Sequence, residues 1–197
     1  METAFLLDCH ASNDESVPFG AVPDYYDALQ KARRPFVAQW APWGHAGNNT
    51  IEKWPNHKWW GTFSLNGDES VPAIGYATTS DDPRKAQTGQ LNLKIEFCAR
   101  ENDFDKGKQE DDTLDEPARW ELCLRSCLGA GKQTATVTPR RCQKFKAKAG
   151  AKYHWENLSM ADPANPKKIA DGSLAADAAG LVTIEKFEIN PEGWGNR

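Results

Sequence analysis

Two short apolar runs near the start of the chain are predicted to be strands. The first covers residues 4–7, AFLL, and leads into the polar segment DCHASNDESVPFG, which we expect to be a loop. The second covers residues 36–40, FVAQW, and is followed by the turn-forming residues of APWGHAGNN. Short apolar runs bounded by such residues are typical of buried strands.

The stretch between these runs has the periodicity of a helix. In VPDYYDALQKARRP, the apolar residues Val22, Tyr26 and Leu29 fall at i, i+4 and i+7, on one face of an amphipathic helix. Pro23 suits the first turn of that helix, and Pro35 ends it. Strand, helix and strand in this order have the size of one βαβ unit, so we predict that the two strands pair in parallel.

From about residue 60 onward the helical signal is replaced by short β-rich runs. These runs are KWWGTFSL, QLNLKIEFCA, RWELCLRSCL, TATVTP, KYHWENL and LVTIEKFEI, and turn-rich segments such as LGAGK and ADPANP separate them. Short strands at roughly 8–12-residue spacing predict an antiparallel β-sandwich of the immunoglobulin or fibronectin type III class. The predicted fold class is therefore α+β, with a βαβ unit in residues 1–59 and a β-sandwich in residues 60–197.

Charge and composition argue against several classes of protein. The chain has 197 residues and a formal net charge of -4, whereas nucleic-acid binders usually present a basic face. No apolar run approaches the roughly 18 residues that a membrane-spanning helix needs, and residues 1–10 lack the features of a signal peptide. Five cysteines, an odd number, argue against a closed disulfide framework. We therefore expect a soluble, cytoplasmic protein with no membrane partner, although a longer parent chain could be secreted.

Polar segments follow both predicted parallel strands and should emerge at the same edge of the sheet. The first segment carries Asp8, His10, Asp14 and Glu15, and the second carries His45. Functional groups of open α/β sheets lie in loops beyond the carboxyl ends of the strands. A carboxylate and a histidine at that edge could form the acid–base part of a hydrolytic site, because the acid orients the imidazole and the imidazole activates a nucleophile.

The segment LLDCHASNDESVPFGAVPDYYDALQKARRPFVAQWAPWGHAGN resembles the C-terminal part of an α/β-hydrolase of the esterase and acyl-peptidase type. That family has a strand, a DxxVP loop with the catalytic acid, a helix, a second strand and a GH turn with the catalytic base. The resemblance implies Asp14 as the orienting acid, His45 as the general base, and hydrolysis of a carboxylic ester or lactone with no required cofactor. The remaining chain is similar in style to β-rich C-terminal modules of some bacterial hydrolases.

The nucleophile elbow of this family, G-x-S-x-G, occurs nowhere in the chain. Three explanations stay open. The chain is a non-catalytic tail of a longer hydrolase, or Ser12, Ser16 or Cys9 serves as the nucleophile, or a metal-bound water attacks the substrate. Without a protein nucleophile, His45 could still deprotonate a water molecule directly.

The tryptophans at positions 40, 43, 54, 59 and 60 have two interpretations. They line an acyl-binding groove, in which case Trp40 and Trp43 are the substrate-binding residues, or they form a hydrophobic plug between the two regions. We favour the plug, because a chain without the rest of a hydrolase would leave much apolar surface to cover.

Candidate metal ligands lie mainly in the acidic segment ENDFDKGKQEDD. Asp103 and Asp105 alternate as in a calcium loop, but Gly107 comes one residue late for an EF-hand and Asp112 replaces the chelating glutamate. Asp8 is a further candidate ligand. Calcium is therefore an alternative cofactor, and a calcium-dependent hydrolase is an alternative function.

Another alternative is a non-catalytic module whose β-sandwich binds carbohydrate or a partner protein. For the hydrolase, the expected partner is a small-molecule ester or lactone. An unpaired edge on the predicted parallel sheet would also favour a homodimer, because an exposed strand edge offers free backbone donors and acceptors.

Overall fold

The structure is a computed structural model that describes residues 6–45, 70–97, 114–192 and 195–197. Within them, a 3-10 helix at Phe19–Ala21 precedes one α-helix, α1 (Val22–Lys31). The strands are β1 (Leu6–Ala11), β2 (Phe36–Ala41), β3 (Val71–Gly75), β4 (Gly89–Leu91), β5 (Ile95–Phe97), β6 (Leu114–Glu116), β7 (Arg119–Glu121), β8 (Leu124–Ser126), β9 (Gln133–Arg140), β10 (Lys152–Ser159), β11 (Lys167–Ala175) and β12 (Ile184–Ile189). The predicted β-rich α+β class is confirmed.

The order of β1, α1 and β2 follows the predicted pattern. In α1, Val22, Tyr26 and Leu29 are buried, as their spacing predicts. β1 and β2 pair in parallel and in register, with Leu6 opposite Phe36 at one end of the ladder. Their carboxyl ends therefore lie side by side.

The first strand is longer than the apolar pattern indicates. β1 continues to Ala11, so Asp8 and His10 lie in the strand and not in the loop where we expected them. In the ladder, Asp8 is opposite Ala38 of β2 and His10 is opposite Trp40. Pairing with β2 satisfies the backbone of these residues, and this tertiary contact outweighs the low strand propensity of aspartate.

A third strand, β4, joins the other side of β2 and runs antiparallel to it, which gives the sheet the order β1-β2-β4. β4 lies beyond residue 59, so this sheet contains strands from both sides of the predicted domain boundary. Gly89 of β4 pairs with Trp40 of β2. A Cβ atom at Gly89 would come within 2.8 Å of Trp40 Cε2, so only glycine allows this approach of the indole ring.

The face of β2 that packs against α1 forms one of the hydrophobic clusters of the protein. Its buried members are Val22, Tyr26, Leu29, Phe36, Ala38, Trp40 and Leu91. Tyr26 stacks on Phe36, with ring centroids 6.1 Å apart, and is tilted against Trp40 at 6.0 Å. These aromatic contacts pack α1 against the sheet.

The rest of the described chain is antiparallel. It forms the sheet β12-β9-β3 and the two-stranded pairs β5-β8, β10-β11 and β6-β7. Side chains of the three-stranded sheet pack with those of β5 and β8 in a second core, for example Val137 and Ile189 with Ile95 and Leu124. The packing is therefore sheet on sheet, as in layered β proteins.

Some predicted elements differ from the observed ones. β3, β6 and β11 were missed. Pro72 and Gly75 weaken the strand signal of β3, β6 ends a charged segment that suggests a loop, and β11 is mostly exposed and lacks an apolar run. The predicted strand KWWGTFSL lies outside the described residues, and so do Asp103 and Asp105. Within the described part of the chain, no helix is long and apolar enough to cross a membrane.

Candidate functional site

Backbone pairing beyond the strand ends positions Asp14 and His45. The N–H of Ser12 donates to the carbonyl oxygen of Ala41 at 2.7 Å, and the N–H of Asn13 donates to that of Trp43 at 3.3 Å. These bonds hold the segments after β1 and β2 together for two further residues. Asp14 and His45 follow directly on the two segments, so they arrive at the same edge of the sheet, as the sequence predicts.

The side chains of Asp14 and His45 contact each other. Nδ1 of His45 lies 3.0 Å from Oδ2 and 3.1 Å from Oδ1 of Asp14. Oδ1 of Asp14 also accepts the backbone N–H groups of Ser16, at 2.7 Å, and Val17, at 2.9 Å. Asp14 thus forms an Asx-type turn, which fixes the position of its carboxylate independently of the contact with His45.

Exposure and charge give the two partners different roles. The Asp14 side chain is 11% exposed, whereas the His45 side chain is 63% exposed. The hydrogen bond from the N–H of Val17, together with the contacts to His45 and the N–H of Ser16, holds the pKa of the Asp14 carboxyl below its ordinary value. Because Nδ1 of His45 faces a carboxylate that stays charged, Nε2 is the nitrogen that can act on another molecule.

We expect the Asp14 carboxyl to titrate below its ordinary pKa of 3.8. A lowered folded-state pKa means that Asp14 contributes stability above pH 3.8 and loses that contribution as the pH falls through the folded-state value. A carbon-13 NMR titration of the carboxyl group measures this directly. In His45→Ala the pKa should rise but stay below 3.8, because the bond from Val17 is the largest cause of the shift. A wild-type value at or above 3.8 would contradict the geometry.

The nucleophile candidates have other partners or other surroundings. The hydroxyl of Ser12 donates to the carbonyl oxygen of Gln87 at 2.7 Å. Cys9 lies within β1 and packs against the cluster of Val37 and Leu93. The backbone N–H of Ser16 donates to Oδ1 of Asp14. None of these described contacts places a hydroxyl or thiol on the imidazole of His45.

The two tryptophans predicted to bind substrate have different environments. Trp40 is fully buried, and its Nε1–H donates to the carbonyl oxygen of Ala86 at 2.8 Å. This burial corrects the prediction for Trp40, because a ligand at the surface cannot reach its ring, and it agrees with a role in the core. Trp43 is half-buried and lies two residues before His45. It remains a candidate for contact with a substrate.

Asp8 and His10 form a separate pair on the α1 side of β1. Nε2 of His10 lies 3.3 Å from Oδ2 of Asp8, and the ring of His10 lies edge-on to Tyr26 at 6.3 Å. Burial raises the pKa of Tyr26, and the nearby carboxylate of Asp8 adds to the effect. Asp8 belongs to no group of three candidate metal ligands among the described residues. Its observed partner is a single histidine and not a set of metal ligands.

One group of metal-ligand side chains occurs in the described residues, on the β10–β11 hairpin. His154, Glu156 and Asp171 present ligand atoms within 4.8 Å of one another, and all three are exposed. Lys168 lies between the carboxylates, with Nζ 3.3 Å from Glu156 and 3.1 Å from Asp171. The ammonium group contacts both carboxylates, so the group is explained as a surface ion-pair network.

Comparison with known proteins provides no family assignment. No protein-family model, curated protein sequence or solved structure matches the chain. The resemblance of residues 1–49 to α/β-hydrolases therefore stays a prediction from the sequence. A functional assignment depends on the chemistry of the site itself, because a fold alone does not determine an activity.

Proposed function

We propose that the protein hydrolyses carboxylic esters or lactones, with His45 as the general base and Asp14 as the residue that orients it. One observation carries the proposal: Nδ1 of the exposed imidazole lies 3.0 Å from a carboxylate that two backbone N–H groups hold in place. A carboxylate on Nδ1 favours the tautomer whose lone pair is on Nε2 and stabilises the protonated ring. These are the properties required of a general base in acyl transfer.

The proposed reaction uses water as the nucleophile. Nε2 of His45 takes a proton from a water molecule while the water oxygen forms a bond to the carbonyl carbon of the substrate. The resulting tetrahedral intermediate expels the alcohol, and the protonated imidazole returns its proton to the leaving oxygen. Asp14 stays ionised throughout and stabilises the imidazolium. The products are a carboxylic acid and an alcohol, which for a lactone are parts of one hydroxy acid.

Activated esters and strained lactones are the substrate class that fits this site. The Ser12 hydroxyl is bound to the carbonyl oxygen of Gln87, so water is the simpler nucleophile. General base catalysis of this kind contributes typically 10² to 10⁴-fold. Acceleration of that size gives useful turnover for a substrate that already has a good leaving group or ring strain.

The more detailed assignment of the fold belongs to the same proposal. A relationship to the C-terminal part of an α/β-hydrolase is supported by the order of the elements: β1, the Asp14 turn, α1, β2 and the His45 turn. Sheet-on-sheet packing in the second core supports a β-sandwich module of the immunoglobulin or fibronectin type. Asp103 and Asp105, the main candidate ligands of the calcium-dependent alternative, lie outside the described residues.

The activity is tested with purified protein, 4-nitrophenyl acetate and an acyl lactone. We expect turnover above the buffer rate and a linear release of nitrophenolate from the first turnover, because water attack forms no acyl-enzyme. Asp14→Asn is the matched variant: it keeps the size of the side chain but cannot stabilise the imidazolium, so the rate should fall.

Two outcomes would overturn parts of this proposal. An initial burst of nitrophenolate equal to the enzyme concentration would show a covalent intermediate and thus a protein nucleophile. Hydrolysis no faster than in buffer, with both substrates, would reject the hydrolase and leave the non-catalytic binding module as the better hypothesis.

A further inference from the structure

A groove of about 600 Å³ lies between the C-terminal end of α1 and the sheet β12-β9-β3. Its cationic side chains outnumber the acidic ones, with one carboxylate, that of Glu185, among the described lining residues. The cations are Lys31, Arg33, Arg34 and Lys186. We call this feature the cationic groove. A concave surface with this charge is unusual for a chain whose formal net charge is -4.

The floor of the cationic groove carries hydroxyl groups. Along β9, Ala135 and Val137 are buried in the sheet-on-sheet core. The alternation of a strand places Thr134, Thr136 and Thr138 on the opposite face, and all three line the groove. Thr138 is buried and its hydroxyl is bonded to that of Thr183 at 3.0 Å, whereas Thr134 and Thr136 are half-buried. Their hydroxyls can donate and accept hydrogen bonds, so this part of the face can bind a polar ligand.

The backbone around the groove is held in an uncommon conformation. Arg33, Tyr76 and Lys186 have φ values of 50°, 51° and 53°, and they are half of the six non-glycine residues with positive φ in the described chain. Lys186 also lies in a register shift of β12 between Ile184 and Phe187. Such strained residues cluster at functional sites, and bulges redirect side chains.

Ordinary structural roles explain some of the cations but not all of them. Arg33 forms an ion pair with Asp177, and Lys31 lies at the end of α1, where a positive charge favours the helix dipole. Lys186 lies in β12, so no helix dipole explains its position. Lys31 and Lys186 are exposed, and within the described residues neither has a carboxylate partner. Two cations from separate elements thus line one groove, and among the described residues neither forms an ion pair with a carboxylate, that of Glu185 in the lining included.

We propose that the cationic groove binds a small anionic molecule through a phosphate or sulfate group. The ammonium groups of Lys31 and Lys186 contact the oxyanion, and the hydroxyls of the half-buried Thr134 and Thr136 donate to its remaining oxygens. Tyr76, which is 54% exposed at the groove, covers the organic part of the ligand. The volume lies in the range of about 300–1,000 Å³ that is typical of small-molecule sites, which favours such a ligand over a macromolecule.

The cationic groove is distinct from the Asp14–His45 pair. α1 ends just before β2 begins, whereas His45 follows the end of β2. The six residues of β2 separate the two sites by about 20 Å at ~3.3 Å per residue. Binding at the groove therefore does not depend on the proposed hydrolytic activity, and the two proposals fail or succeed separately.

The test is a titration of the full chain, labelled with nitrogen-15, with phenyl phosphate and phenyl sulfate as probes. We expect saturable shifts of the Gly75 and Thr136 amides, and the stronger of the two probes identifies the preferred oxyanion. In Lys31→Ala/Lys186→Ala the Kd should rise by at least about tenfold, because two charge-assisted contacts are lost. The matched control is Lys148→Ala/Lys167→Ala, which removes two exposed lysines elsewhere and should leave the Kd unchanged.

Three outcomes would overturn the proposal. The first is no saturable shift with either probe at millimolar concentration. The second is an unchanged Kd in the groove variant. The third is an equal loss in both double variants, since that would show nonspecific attraction to positive charge. Hydrolysis of 4-nitrophenyl acetate, measured on the same samples, reports separately on the Asp14–His45 pair.

Discussion

Replacement of His45 by alanine is expected to lower kcat/KM for 4-nitrophenyl acetate by about 10²- to 10⁴-fold, the usual contribution of a positioned general base. The imidazole is the group that accepts the proton of water in the proposed reaction, and Asp14 cannot replace it because its carboxylate is turned toward Nδ1 and the backbone. The loss should appear mainly in kcat, since proton transfer belongs to the transition state and not to substrate binding. Steady-state kinetics with the two proteins side by side measures it.

A matched control separates catalysis from general damage. His154 is also an exposed histidine, with 57% of its side chain accessible, and it lies on the β10–β11 hairpin, so His154→Ala should keep the wild-type rate. His45→Ala should unfold at a urea concentration close to that of the wild type, because a side chain that is 63% exposed adds little to the core and loses mainly its contact with Asp14. Undiminished hydrolysis by His45→Ala would end the assignment of His45 as the base.

The Asp14–His45 contact is the part of the site that the sequence predicts well. Parallel strands place the residues after them at one edge, and the resemblance to α/β-hydrolases singles out Asp14 among the acidic residues of the first segment. The pattern of α1 is equally informative, because three apolar residues at helical spacing define its buried face. The prediction of α1 depends on local spacing, which a sequence records directly.

Predictions that depend on distant partners were less successful. Asp8 and His10 look like loop residues until β2 is known to pair with them. From the sequence, Trp40 suits a ligand groove as well as a core. Its burial depends on contacts with Gly89 and Ala86, which lie about fifty residues away in the chain. The cationic groove was not predicted at all, because Lys31 and Lys186 come from elements far apart in sequence. Threonine at every second position of TATVTP was the sequence pattern that could have indicated the groove.

Replacement of Trp40 by alanine is expected to lower the free energy of unfolding by about 3–5 kcal/mol, which is typical of a large aromatic side chain lost from a core. The indole is fully buried between α1 and β4, and the Gly89 backbone packs directly against it. Alanine would leave a cavity there, and the carbonyl oxygen of Ala86 would lose its donor. Urea unfolding followed by far-ultraviolet circular dichroism measures the change without relying on tryptophan fluorescence.

Trp40→Phe and Trp43→Ala make the result interpretable even if Trp40→Ala does not fold. Phenylalanine fills most of the cavity but lacks the indole N–H. Because Ala86 is only half-buried, the cost should be smaller and close to the roughly 0.5–1.5 kcal/mol of one lost hydrogen bond. Trp43 is half-buried, so its replacement should cost less stability than that of Trp40. If Trp40 were instead a substrate-binding residue, Trp40→Ala would raise KM and keep the wild-type unfolding midpoint. That pair of results would contradict its place in the core.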